Sequence, residues 1–418
     1  MAYTVSASYY TPAAQQYHQL QTDLTDSQPK ALLFNGMNGP VPGAQRLVDL
    51  NRLATASPAM FPRAAAWSRA TSSKDIKRLL VNNATTASGI YRNGYRDHFM
   101  ITTPEAPHLQ SQLLSLGQLL TDLGAHVTYK QNGEYIDSSV FAADMSLSVK
   151  RLNATGQQFG PSLHILSQFD EDTIAEEDQN TTCEKIMNQV DDNRAVFVTQ
   201  SHMFEGNGNN LVNFNRNMIL VGAGEKGEQG AHNLVANISG AQVFPVKMPE
   251  DSDYFHLDLL CCFLPSGHVM YCDEVLDQTG KQQLNQALFK GSKSIKEEFG
   301  IKVPRELASM FACNAVTVGM NDIVLAYPHA GVVPIEEAHR TEQRTVKPDV
   351  LARAQAAFQP LYDRLTGLGY RVHANLDLSL YNFHQGGFHC VINPVNQFLL
   401  TNSNQGSAAT AAFDQLMR

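Results

Sequence analysis

No uninterrupted apolar run in this 418-residue sequence approaches the roughly 18–20 residues needed to cross a bilayer. The opening Met1-Ala2-Tyr3-Thr4-Val5 has no charged segment leading into an apolar one, the mark of a secretory signal. A soluble, cytoplasmic protein is therefore expected, with no membrane partner. Positive charge is short as well: 31 Lys and Arg face 40 Asp and Glu, a formal net charge of −9. Nucleic-acid binding normally shows as a basic patch or stripe, so no nucleic-acid partner is expected. Six cysteines, Cys183, Cys261, Cys262, Cys272, Cys313 and Cys390, are too few and too scattered for the disulfide framework of a small secreted domain. None stands in C-x-x-C spacing, and the cluster Cys261, Cys262, His268, Cys272 straddles a Pro-Ser-Gly turn, so buried thiols are expected and no metal.

What is present is a recurring junction. Leu113, Leu116, Leu120 and Leu123 carry helical spacing and run into Leu123-Gly124-Ala125-His126-Val127, where Gly ends the helix and a β-branched strand begins. The same junction recurs at Ser239-Gly240-Ala241-Gln242-Val243, Phe299-Gly300-Ile301-Lys302-Val303 and Leu368-Gly369-Tyr370-Arg371-Val372. Each is followed by a second strand-like run, at 140–149, 255–264, 312–318 and 388–393. Repeated strand–helix–strand modules would carry polar residues from several copies to a shared centre; an ordinary α/β sheet with coincidental Gly caps is the alternative. Residues 1–94 read as an extension, partly helical over 13–24 and 44–53 and broken by Asn35-Gly36-Met37-Asn38-Gly39-Pro40, Pro58 and Pro62.

Chemistry concentrates in Tyr254-Phe255-His256-Leu257-Asp258-Leu259-Leu260. On a β-strand, His256 and Asp258 would share a face at i and i+2, although the alternation also fits a solvated strand edge. Asp144 closes the small-residue run 137–144, Glu205 opens the Gly-rich Glu205-Gly206-Asn207-Gly208-Asn209, and Gly386-Gly387-Phe388-His389-Cys390 brings paired glycines just ahead of a thiol. Carboxylates can clamp a guanidinium, a thiolate can attack its central carbon, and an imidazole can protonate the departing amine and then activate water.

These motifs, in this order, resemble the guanidino-group-modifying, or pentein, superfamily over roughly Asp97 to Pro394. Phe141-x-x-Asp144 is similar to its first guanidinium-binding motif and Phe204 to Asn209 to its Glu-Gly-Gly-Asp type motif. Phe255-His256-Leu257-Asp258 is similar to its His-Leu-Asp motif, Gly386 to Cys390 to its nucleophile motif, and Cys313-Asn314-Ala315-Val316 with Gly319 to the strand before the last module. The resemblance implies an α/β fold, a five-bladed pseudo-symmetric α/β propeller of ββαβ modules, here spanning 95–400 as the catalytic domain, with the 1–94 extension before it and a tail at 401–418. It implies Cys390 as nucleophile, His256 as general acid/base and Glu205 as a third catalytic group that, with Asp144 and Asp258, holds and polarises the guanidinium, and no cofactor. Asn209 stands where many members have Asp, and Lys226 with Glu228 where hydrolases of free amino acids often have Arg; both Asn209 and Lys226 are candidate substrate-binding residues. The implied function is a cysteine-dependent hydrolase, of deiminase or dihydrolase type, acting through a thiouronium intermediate on arginine or an arginine-like small molecule. Alternatives are an amidinotransferase, a peptidyl-arginine deiminase acting on protein arginine, and a non-catalytic binding protein of the same fold.

Overall fold

In the computed structural model of the chain, the helix Pro107–Asp122 illustrates the local logic. Pro107 occupies its first turn, where no amide hydrogen is needed, and Leu113, Leu116 and Leu120 line one face with no solvent exposure. Each such leucine contributes about 1.5–3 kcal/mol of burial. Gly124 then takes φ +92°, and the chain turns into the strand His126–Gln131. Gly240 and Gly369 end the helices Gln229–Ser239 and Pro348–Gly367 in the same left-handed region, at φ +66° and +91°. The fourth junction differs: Gly300 has φ −87° and begins its strand directly after the helix Lys293–Phe299.

The structure describes the strand segments 30–35, 47–49, 97–102 and 193–198, together with residues 107–131, 141–152, 162–169, 202–213, 216, 218–250, 252–337, 346–383, 385–394 and 397–400. Within these, one three-stranded unit is built five times, its first strand antiparallel to the second and the second parallel to the third. The units are Ser146–Leu152, Ser162–Leu166, Asn193–Val198; Asn210–Asn213, Met218–Ala223, Gln242–Lys247; Cys261–Phe263, Val269–Tyr271, Gly300–Lys302; Val316–Val318, Asp322–Val324, Arg371–His373; and Asn393–Pro394, Asp97–Thr102, His126–Gln131. In four of them a described helix separates the parallel strands, as a parallel pair requires. The last unit joins the two ends of this region, because its first strand follows the other four units while its second and third precede them. The first unit is widened to six strands by Gln397–Leu400 at one edge and by Lys30–Asn35 with Leu47–Asp49 at the other. The architecture is thus α/β with small sheets. Among the described residues, no helix is long and apolar enough to cross a membrane.

Three expectations from the sequence are corrected. The run 44–53 contains the strand Leu47–Asp49 rather than a helix, because pairing with Lys30–Asn35 satisfies its backbone; the run 13–24 lies outside the described residues. His256 and Asp258 do not share a strand face: His256 is extended, and Leu257–Leu259 form a 3-10 turn closed by the Leu260 amide on the Leu257 carbonyl. Leu257, Leu259 and Leu260 are all buried, which a strand with one polar face would not allow. The second strands are also shorter than they read, starting at Ser146, Cys261, Val316 and Asn393. In each case the residues before them form a tight turn.

Candidate active site

The turns preceding the first strands carry the polar groups. Ala142–Met145 is a 3-10 turn bearing Asp144, and Glu205 caps the four-residue helix Gly206–Asn209. Leu257–Leu259 bears Asp258, with His256 at its entry, and Cys390 lies in the turn that ends where the Ile392 amide donates to the His389 carbonyl. The turns are tied to one another. The Ala143 amide donates to the Cys390 carbonyl at 3.0 Å, and the Gly206 amide to Ser167 Oγ at 2.8 Å. The buried Asn207 Nδ2 donates to the Ser146 carbonyl and to Asn393 Oδ1, at 2.8 and 2.9 Å. The buried Arg216 reaches the Leu288 and Gly267 carbonyls, pinning the hairpin below the second turn to the next unit.

This framework brings Asp144, Glu205, His256, Asp258 and Cys390 together. His256 Nε2 lies 2.6 Å from Glu205 Oε2 and its Nδ1 3.5 Å from Asp144 Oδ1. Space for that pairing comes from Gly208, where a Cβ would fall 2.0 Å from Asp144 Oδ1. Asp258 Oδ2 accepts from the Cys390 thiol at 3.3 Å and lies 2.9 Å from His389 Nδ1. Lys226 Nζ is 2.8 Å from Glu205 Oε1. Asn209 faces the Lys226 loop, donating from Nδ2 to the Gly222 and Lys226 carbonyls at 3.0 Å each.

The electrostatics follow from burial and like charge. Burial alone would keep His256 neutral, but Asp144, Glu205 and Asp258 outweigh it and raise its pKa to about 9. Asp144 is pushed up to about 7, chiefly by burial and then by the other carboxylates, against the pull of His256. Burial also works against the Glu205 carboxylate, yet its bonds to His256 and Lys226 hold it below its usual range. The Cys390 thiol is pushed well up by burial and by Asp258 and Asp144, with the Gly387 backbone opposing. Asp258 Oδ1 has no hydrogen-bond partner among the described residues, and Asp144 Oδ1 has none beyond its 3.5 Å ion pair with His256. Unpaired buried carboxylate oxygens are costly, and a cation with several N–H donors satisfies them.

No protein-family model matches the chain. Over 122 residues, 29% of this chain and 16% of the relative, the sequence is 28% identical to the bifunctional arginine dihydrolase/ornithine cyclodeaminase ArgZ of Synechocystis sp. (strain ATCC 27184 / PCC 6803 / Kazusa). Among solved structures, the substrate-bound N-terminal domain of ArgZ, an arginine dihydrolase from the ornithine–ammonia cycle in cyanobacteria, aligns with a TM-score of 0.55. That alignment has 17% identity and covers 72% of this chain and 99% of that one. The same domain bearing a covalently bound reaction intermediate aligns at 0.54 with 18% identity, over 73% and 99% of the two chains. AgrE with L-arginine aligns at 0.54 with 16% identity, over 73% of this chain and 40% of that one. The chain has the pentein fold. Two polar groups beside Cys390 were absent from the candidates drawn from sequence: His389, whose Nδ1 lies 2.9 Å from Asp258 Oδ2, and Asn314, whose Nδ2 donates to Cys390 Sγ at 3.0 Å. A signal for Asn314 existed, a carboxamide inside the apolar run 311–318, where a buried amide must be fully bonded.

Proposed function

We propose that this protein is a cysteine-dependent hydrolase of the guanidinium group of arginine or an arginine-like small molecule, with 95–400 as its catalytic domain, the 1–94 extension adding the strands Lys30–Asn35 and Leu47–Asp49 to the edge of its first unit, and 401–418 as a tail. The five like units are then the blades of a pseudo-symmetric propeller, with the five turns gathered at its centre. The observation that carries the reading is the buried cluster in which the Cys390 thiol meets Asp258 while His256 lies between Glu205 and Asp144. The structural likeness to arginine dihydrolases supports it.

In this reading the guanidinium donates to Asp258 and Asp144, whose Oδ1 atoms accept no hydrogen bond among the described residues and suit its planar fork. Its charge offsets the carboxylates that oppose thiol ionisation, so the thiol releases its proton to solvent when the cation is bound. The Cys390 thiolate adds to the central carbon, and the tetrahedral adduct expels ammonia, which leaves with the proton of His256. A thiouronium on Cys390 remains. Neutral His256 then takes a proton from water; the hydroxide adds to the same carbon, and as the C–S bond breaks the hydroxyl proton of the adduct passes to the departing sulfur, regenerating the thiol and releasing a neutral ureido product. Glu205 holds the His256 ring throughout, and Asn209 and Lys226 line the substrate side. A second round on the ureido carbon would release another ammonia, carbon dioxide and the free amine.

The test is incubation with arginine, agmatine, methylated arginines and an arginine-containing peptide, measuring ammonia, ureido product and free amine. Ammonia with ureido product marks a deiminase, and two ammonia with free amine a dihydrolase. Turnover that requires an added amine acceptor would instead mark an amidinotransferase. Inertness toward every substrate, with or without acceptor, would overturn the proposal.

A further inference from the structure

Asn314 is fully buried in the turn before the strand Val316–Val318, and no step above uses it. Its Oδ1 accepts two backbone hydrogen bonds, from His389 N at 2.7 Å and Cys390 N at 3.2 Å. Two amide hydrogens can point only at the oxygen, so the orientation of the carboxamide is fixed by its surroundings. That leaves Nδ2 directed at Cys390 Sγ, 3.0 Å away. Gly387 keeps the approach open, since a Cβ there would lie 2.5 Å from Asn314 Oδ1. On the other side of the sulfur, Asp258 Oδ2 is an acceptor at 3.3 Å. The thiol therefore sits between an acceptor that suits S–H and a donor that suits S⁻.

We propose that Asn314 is a catalytic residue of this site, the side-chain donor that holds the Cys390 sulfur and stabilises its thiolate. The inference rests on Cys390 as the nucleophile. When the thiol ionises, its bond to Asp258 is lost and the two negative groups repel. The Asn314 bond, by contrast, strengthens once its acceptor is charged. Because Oδ1 grips the amides of both His389 and Cys390, the same side chain also fixes the direction of attack. The titratable groups facing the sulfur are Asp258 and Asp144, with His389 against Asp258 and His256, backed by Glu205, against Asp144. All of them are present in both variants below, so a change in thiol ionisation reports on residue 314.

The test is the pH dependence of Cys390 alkylation by iodoacetamide in the full chain, read at that residue by mass spectrometry, for wild type, Asn314→Asp and Asn314→Ala. Asn314→Asp keeps an acceptor for the two backbone amides, removes the donor and adds a carboxylate beside the sulfur, so it controls for folding; Asn314→Ala removes donor and acceptor without adding charge, and its midpoint decides. The expected result is an alkylation midpoint at least one pH unit higher in each variant, with kcat lowered at least tenfold and KM changed less than threefold. An unchanged midpoint in a folded variant would overturn the proposal, as would failure of both variants to fold, which assigns Asn314 to the architecture alone. Activity surviving in Cys390→Ala would remove the nucleophile assignment instead, a result separate from the alkylation midpoint.

Discussion

His256→Ala removes an imidazolium held 2.6 Å from Glu205 and 3.5 Å from Asp144. Its rise from the ordinary 6.5 to about 9 corresponds to on the order of 3 kcal/mol in favour of the charged form, at about 1.36 kcal/mol per pH unit. The proton is therefore present at neutral pH and lost as pH passes about 9, so wild-type activity falls on that alkaline limb. Without the imidazole the leaving group has no acid and water no base, and kcat should drop about 10²–10⁴-fold. The alkaline limb at 9 should vanish, and wherever attack and ammonia loss still proceed without the imidazole, mass spectrometry of the denatured variant should find an amidino adduct on Cys390 awaiting hydrolysis. Stability carries the same signature. A folded pKa above the unfolded one stabilises fully below 6.5, and that contribution is lost as pH rises through about 9. The difference in melting temperature between pH 6 and pH 10 should accordingly shrink in the variant. Turnover close to the wild-type rate with the alkaline limb intact would refute the assignment of His256 as acid and base.

Cys390→Ala should abolish turnover and leave the melting temperature within a few degrees. Cys261→Ala or Cys272→Ala, both at buried thiols outside the cluster, should keep kcat and cost about 1–3 kcal/mol of stability in a denaturant titration; the reverse pattern would move the nucleophile elsewhere. Gly208→Ala would set a methyl 2.0 Å from Asp144 Oδ1 and 3.1 Å from His256 Nδ1, forcing the carboxylate away. It should lower kcat/KM at least tenfold and bring the alkaline limb to lower pH, and unchanged kinetics would show that the Asp144–His256 pair is not needed. Lys226→Ala should weaken arginine by roughly 1.5–3 kcal/mol, the scale of a charge-assisted hydrogen bond, while agmatine, which has no carboxylate, should hardly change. An equal change in kcat/KM for both would leave Lys226 as a partner of Glu205 alone.

The α/β class was legible because its two signals are local. Leucines at helical spacing followed by a glycine and a β-branched run dictate a helix, a reversal and a strand without knowledge of the rest of the chain, and three of four such glycines do take the left-handed conformation. Gly300 breaks that pattern because its helix passes straight into the strand, so no reversal is needed. The strand Leu47–Asp49 was not legible, since the spacing within 44–53 carries no sign of the antiparallel partner Lys30–Asn35 that satisfies its backbone. The turn at Leu257–Leu259 was hidden for a related reason. An apolar run with one carboxylate inside it reads the same as strand or turn until the groups that bury the leucines and bind the carboxylate are known.

The site was legible wherever a residue is chemically conspicuous: a thiol behind two glycines, an imidazole near a carboxylate, a glutamate opening a glycine-rich turn. Asn314 is none of these, and its role depends on which way its amide points, which only the two backbone donors at His389 and Cys390 decide. Its position, however, follows from the repeat. The turn before the first strand supplies Asp144 in one unit, Glu205 in the next, His256 and Asp258 in the third and Cys390 in the fifth. The corresponding turn of the fourth unit is 311–315, whose polar side chains other than the buried Cys313 reduce to Asn314. Four of the five turns bring polar groups into one cluster, and the carboxamide of the remaining turn is bonded to that cluster through the Cys390 sulfur and backbone amide.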